Sequence, residues 1–148
     1  MSSYVSAALR RLVAARADAL CEYCLMHEDD GVFGCELDHI ISEKHGGATA
    51  AENLAYACAF CNRAKGSDLG SIVQGTGTYV RFFNPRIDCW AEHFTLDGVT
   101  IVALSDIGEV TARILDFNNN DRLLERQVLR DVGRYPSAVA VARMASRT

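Results

Sequence analysis

Across residues 3–19 the apolar side chains Val5, Leu9, Leu12 and Val13, followed by Leu20, fall at helical spacing with alanines between them. This period predicts an amphipathic helix that opens the domain and packs on the core downstream. From residue 21 to 61 the pattern turns short and irregular: a Cys21-Glu-Tyr-Cys24 turn, an acidic loop at 28–30, a strand-like stretch over 33–41 and a Gly46-Gly47 turn. Residues 62–65 open a short helix that ends near Gly66. The glycines and hydroxyl side chains of 66–77 predict a flexible connection. Beyond it, Asp97-Gly98 separates two apolar runs, 94–96 and 99–104, which is a hairpin signal, and 110–115 reads as a third strand of a small meander. Residues 118–121 start a helix carrying Leu123, Leu124, Val128 and Val132 near one face, with Gly133 and Pro136 to stop it. The last dozen residues read as a loosely docked helix. The expected class is α+β, divided into a core (1–75), an extension of meander and helix (76–135) and a tail (136–148).

Composition narrows the class without changing this outline. The chain has 148 residues, 49% hydrophobic and 23% charged, the profile of an ordinary globular protein and not of a disordered or collagen-like one. No apolar run approaches the roughly 18 residues of a membrane span, and Arg10, Arg11, Arg16 and Asp18 interrupt the N-terminal stretch. A cytoplasmic protein without a membrane partner is expected. Formal charge is −4, so tight non-specific duplex binding, which rests on neutralising phosphates, does not follow from net charge. Positive groups are local: Arg10, Arg11, Arg16, Lys44, Arg63, Lys65, Arg81 and Arg86, each expected first as a solvated surface charge. The aromatics among Tyr79, Arg81, Phe82, Phe83 and Arg86 are expected in the core before any role in stacking on nucleic acid.

Six cysteines in a chain without an export signal are expected reduced, as ligands or core residues. Cys21-x-x-Cys24 and Cys58-x-x-Cys61 each turn two sulfurs toward one point, and tetrahedral Zn²⁺ needs four thiolates. The stretch between the pairs exceeds that of a compact zinc ribbon, so a further element is inserted between the knuckles. Iron in the same thiolates is the alternative metal. Cys35 and Cys89 lack partners at ligand spacing and read as buried small hydrophobes.

Four further clusters surround those knuckles: Leu37-Asp38-His39-Ile40-Ile41, Lys44-His45-Gly46-Gly47, Glu52-Asn53-Leu54, and Asn62-Arg63-Ala64-Lys65-Gly66 directly after Cys61. Together they resemble the HNH endonuclease family, whose core, the ββα-metal motif, is a two-stranded ribbon and a helix around one divalent ion. The resemblance covers about a third of the chain. It implies Asp38 as a metal ligand, His39 as the general base, Asn53 as the residue tying down the ribbon loop, and Asn62, where the family often has histidine, as the second ligand. Carboxylate and amide oxygens are hard donors, which predicts Mg²⁺ or Mn²⁺ over Zn²⁺ or Ni²⁺ at this second site. His45, Arg63 and Lys65 are candidates for substrate contact; His45 otherwise sits in a loop, and Lys65 otherwise favours the C-terminal end of its helix. His27 and His93 read as surface or packing residues.

The implied activity is hydrolysis of DNA phosphodiester bonds, with RNA left open. The alternative is a zinc-stabilised binding module for nucleic acid or protein that has lost catalysis. Oligomeric state is open, with a monomer that mainly nicks favoured. Neighbouring residues on a strand point to opposite faces, so for Asp38 and His39 to share a site the backbone near His39 is expected to be irregular.

Overall fold

The computed structural model describes residues 4–147. Helix α1 (Ala7–Arg16) starts where the Ser6 hydroxyl accepts the Leu9 amide; the expected beginning at residue 3 lies outside the described residues. Val13 and Ala17 bury against Leu54 and Tyr56, with Leu9 and Leu37 beside them, so α1 covers one face of the ribbon that follows. That ribbon is β1 (Cys35–His39) antiparallel to β2 (Leu54–Cys58), in register from Cys35↔Cys58 to His39↔Leu54. Two 3₁₀ turns, Glu43–His45 and Ala51–Asn53, fold the connection between the strands. Helix α2 (Ala59–Lys65) leaves directly from β2, with Cys58 as its N-cap and Gly66 at its end.

Several expectations needed correction. Residues 66–77 are not a loose connection, because β3 (Gly70–Ile72) pairs with β4 (Tyr79–Arg81) as a hairpin. Gly70 is there for close approach: a Cβ would lie 2.3 Å from the Val80 carbonyl oxygen. After α3 (Trp90–His93), β5 (Phe94–Asp97) and β6 (Thr100–Ala103) form the anticipated hairpin with Gly98 at φ +63. The expected third strand, however, is helix α4 (Asp106–Ile114). Its Ser105 cap accepts the Gly108 amide, and Asp106 and Glu109 sit in its positive first turn. Capping and burial of Val110 and Thr111 override the strand preference of its β-branched residues.

Helix α5 (Asn120–Asp131) starts at an Asn119 cap as the pattern predicts. The tail forms α6 (Ala138–Ala145), and it is docked, not loose: Ala140 is fully buried, and Arg143 donates to the Arg16 carbonyl (2.6 Å) and Asp18 (3.1 Å). Cys35 and Cys89 are half-buried, short of the full burial expected.

One hydrophobic cluster joins the cysteine knuckles to the extension, from Leu20 through Phe83 and Phe94 to Ala140. Phe94 is at its centre, with the rings of Phe83, Trp90 and Phe117 at 5.2–5.6 Å from its own. Polar ties follow the same route, from Trp90 Nε1 to the Tyr23 carbonyl (2.8 Å) and from the Tyr135 hydroxyl to the Cys24 carbonyl (2.9 Å). Phe94→Ala is therefore expected to lower unfolding free energy by about 3–5 kcal/mol, measured by urea titration.

Candidate active site and metal centres

The four paired cysteines meet. Their sulfurs are buried and lie within 4.8 Å of one another, and Cys24 Sγ and Cys58 Sγ are 3.8 Å apart. Tetrahedral zinc at about 2.3 Å from each sulfur would space them about 3.8 Å apart, so the set fits the ion. Each pair turns its knuckle on its own backbone: the Cys24 amide approaches Cys21 Sγ (3.5 Å) and the Cys61 amide approaches Cys58 Sγ (3.4 Å). The first turn also holds Leu25 at φ +64, a strained conformation that its complete burial stabilises. Burial pushes the thiols of Cys21 and Cys61 up, while hydrogen bonds from the other cysteines hold the Cys24 thiol down.

Arg122, on α5, completes this centre. It is 4% exposed; its Nη2 donates to Cys61 Sγ (3.2 Å) and approaches Cys58 Sγ at 3.6 Å, and its Nη1 donates to the Leu115 carbonyl (3.2 Å). The rings of Phe60 and Phe117 lie 5.8 and 5.9 Å from the guanidinium carbon. Four thiolates and a zinc ion leave two net negative charges, and the guanidinium offsets one of them. Burial opposes the charged form of Arg122, but the surrounding thiolates outweigh it and hold the guanidinium protonated.

The ribbon carries the second constellation. The backbone at His39 is a strand end and not a bulge: Asp38 pairs with Ala55, His39 with Leu54 at the end of β1, and the Ile40 amide still reaches the Asn53 carbonyl (2.9 Å). The two side chains accordingly have different surroundings. Asp38 is 2% exposed, with Oδ2 accepting the Tyr23 hydroxyl (2.7 Å) and Oδ1 accepting Lys65 Nζ (3.2 Å). Burial pushes its carboxyl up, against the opposing pull of Lys65 and Tyr23. His39 Nε2 lies 2.9 Å from Thr49 Oγ1, which donates to Glu43 Oε1 (3.0 Å). β1 ends at His39 and the chain turns, so both residues still line one open cleft of about 260 Å³ with Leu37, Ser42, Glu43 and Asn62.

Asn53 ties the connection together. Its Oδ1 accepts the Ile41 amide (2.9 Å), and its Nδ2 donates to the carbonyls of Ile41 (2.9 Å) and Ala48 (2.8 Å). Gly47 makes room for this clamp, since a Cβ there would lie 1.6 Å from the Ile41 carbonyl oxygen. From α1, Arg16 donates to the carbonyls of Ala51 (2.6 Å) and Leu54 (2.5 Å), bracing the same loop. Asn62 donates its amide to Glu36 Oε2 (2.7 Å), which leaves its carbonyl oxygen as the free acceptor.

The substrate candidates fare differently. Lys65 does not present its ammonium to solvent: it is 2% exposed and also donates to the carbonyls of His39 (3.0 Å) and Ile40 (3.1 Å). His45 is exposed on the 3₁₀ turn and does not line the cleft. Arg63 is exposed and lies 5.9 Å over the Phe33 ring. Arg81 and Arg86 are committed internally, to Asp88 (2.7 and 3.0 Å) and to Glu22, while Phe82 and Phe83 are core and Tyr79 is exposed. His27 accepts the Asp29 amide (3.0 Å), and His93 packs on Phe83 and bonds to Ser105 (2.6 Å). Sequence reasoning missed Tyr23, Glu36, Glu43, Thr49 and Arg122. Only Glu36 left a signal, two positions before Asp38 and so on the same face of the strand.

Residues 21–68 match the family model of the HNH endonucleases. This span, about a third of the chain, holds both cysteine pairs and all of Asp38, His39, Asn53 and Asn62, and is the part similar to the HNH endonucleases, within a fold of mixed helices and small antiparallel sheets. No curated protein and no solved structure matches the chain. No helix of the described residues is long and apolar enough to cross a membrane.

Two outcomes are expected. Arg122→Met should increase zinc release to a chromogenic chelator by about 10- to 100-fold, read on a colourless protein that metal analysis shows to hold one zinc. Lys65→Met should cost about 3–5 kcal/mol in urea unfolding, because Asp38 stays buried without its partner, and the double variant Lys65→Met/Asp38→Leu should recover most of that loss.

Proposed function

We propose that the protein is a metal-dependent endonuclease that hydrolyses DNA phosphodiester bonds one strand at a time. The observation that carries this reading is the shared cleft, in which Asp38, His39 and Asn62 converge on a loop held by Asn53. The donors there are oxygens: the Asp38 carboxylate keeps a lone pair on each atom beyond those given to Tyr23 and Lys65, and the Asn62 amide oxygen is unengaged. They suit a hard divalent ion, Mg²⁺ or Mn²⁺, with Glu36 beside Asn62 as a further carboxylate. Such an ion would supply positive charge to the pentavalent phosphate and to the departing 3′ oxygen.

The chain's own groups do the rest. His39 takes a proton from the attacking water, whose oxygen bonds to phosphorus as the bond to the 3′ oxygen breaks, leaving a 5′-phosphate and a 3′-hydroxyl. Asn53 holds the loop so that the imidazole keeps its place through the reaction. Asn62, its NH₂ group tied to Glu36, presents one fixed oxygen. Exposed Arg63 and His45 lie outside the cleft lining and would meet phosphates beyond it, contacts that position a duplex without reading its sequence.

A second reading has one observation in its favour. The Lys65 ammonium, 3.2 Å from Asp38 Oδ1, already supplies the positive charge that a cleft cation would bring, as in a binding module that has lost catalysis. Plasmid nicking separates the two. Supercoiled DNA should be converted to open circles with Mg²⁺ or Mn²⁺ and not with Zn²⁺ or Ni²⁺, and His39→Ala should slow this by about 10²- to 10⁴-fold with zinc content unchanged. Absence of nicking with every divalent ion would favour the binding module, and nicking that survives His39→Ala would overturn His39 as the base.

A further inference from the structure

We propose that Thr49 and Glu43 act as a relay that fixes the tautomer of His39, so that Nδ1 is the basic nitrogen facing the cleft. The consequence for catalysis rests on His39 being the base; the tautomer itself does not. With Glu43 ionised, the distances fit one proton arrangement. Thr49 has a single hydroxyl proton, and an ionised carboxylate can only accept, so at 3.0 Å that proton goes to Glu43 Oε1. The same Thr49 oxygen lies 2.9 Å from His39 Nε2 and has only lone pairs left to offer, so Nε2 must carry the hydrogen. A neutral imidazole has one N–H, and Nδ1 is therefore the lone-pair nitrogen. Among the described residues, no side chain or backbone group bonds to it.

The arrangement also suits the charge that develops. When a water proton moves to Nδ1, the water O–H bond breaks, its oxygen bonds to phosphorus, and the bonding pair of the breaking P–O bond leaves on the 3′ oxygen. The ring becomes an imidazolium whose Nε2–H is already donated to Thr49, with Glu43 Oε1 3.6 Å away to meet the positive charge. Glu43 thus does for His39, through one hydroxyl, what an orienting carboxylate does by direct contact, without itself taking the proton. Fold geometry keeps the relay in place. Thr49 follows Ala48, whose carbonyl Asn53 holds, and Glu43 opens the 3₁₀ turn that follows shortly after the strand ends at His39. Thr49 and Glu43 are positioning residues, since they act on the reaction through His39.

The test uses the zinc-loaded full chain, ¹⁵N-labelled at histidine, in mildly alkaline solution without Mg²⁺ or Mn²⁺. Long-range ¹⁵N–¹H spectra, with His39→Gln to identify the signals among the four histidines, should show Nε2 protonated and Nδ1 bare. Thr49→Val should mix the tautomers and lower kcat for plasmid nicking by about 10- to 100-fold with KM little changed, whereas Thr49→Ser should restore both. A protonated Nδ1 in the unmodified protein, or a Thr49→Val variant with tautomer and kcat unaltered, would overturn the relay. If the Nε2–H tautomer is found and lost in Thr49→Val but no ion supports nicking, the relay stands and the nuclease reading falls.

Discussion

Four sulfurs drawn from two places in the chain must stay close enough to share one ion, and the position of every other element follows from that requirement. Cys24 and Cys58 are 34 residues apart in sequence and 3.8 Å apart at sulfur. Closing that loop brings the first knuckle under the ribbon, puts Tyr23 on Asp38, and starts α2 at the ligand Cys58. The helix then runs along the strand face that carries Glu36 and Asp38, and Asn62 and Lys65 reach those two carboxylates. The metal in such a knot contributes folding energy directly, because the unfolded chain has no preformed site for it. The extension is part of the same centre: Arg122 touches two sulfurs, Tyr135 bonds to the Cys24 carbonyl, and Trp90 bonds to the Tyr23 carbonyl.

Much of the chain's positive charge is spent internally. Arg16 braces the ribbon loop, Arg86 pairs with buried Glu22, Lys65 sits against Asp38, Arg122 lies on the sulfurs, and Arg126 donates to the Val99 carbonyl and to Asn118. Since the chain already carries a formal charge of −4, these inward-turned cations leave the outer surface more acidic than the count suggests. A polyanion would therefore be held by a few local groups and by cations in the cleft, not by a broad basic face. This is the physical reason to expect shallow salt dependence and modest affinity for plain duplex.

What the sequence made legible was local. The two CxxC pairs, the helix start at 118–121, the Asp97-Gly98 hairpin and the end of α2 at Gly66 each depend on residues within a few positions of one another. What it hid depends on partners far along the chain. Strand preference at Val110 and Ile114 concealed α4, whose capping and burial decide its state. Glycines over 66–77 suggested looseness where Gly70 permits close packing against Val80. Lys65 looked like a surface cation at a helix end, and only the fold shows the carboxylate and two carbonyls that bury it. Arg122 follows Cys61 by 61 residues, with no spacing rule to connect them. The alternation of Asp38 and His39 called for irregular backbone near His39, and the irregularity is the end of the strand there, with the turn beyond it supplying the second wall of the cleft.

The central claim is that the cleft holds a divalent ion between Asp38 and Asn62, separate from the zinc among the sulfurs. Anomalous diffraction from crystals soaked in Mn²⁺ tests it most directly. The account predicts two peaks, zinc among the four cysteines and manganese bonded to an Asp38 oxygen and the Asn62 carbonyl oxygen, with the Lys65 ammonium displaced from Oδ1. A zinc peak alone, with Lys65 still on Asp38 at saturating Mn²⁺, would contradict it.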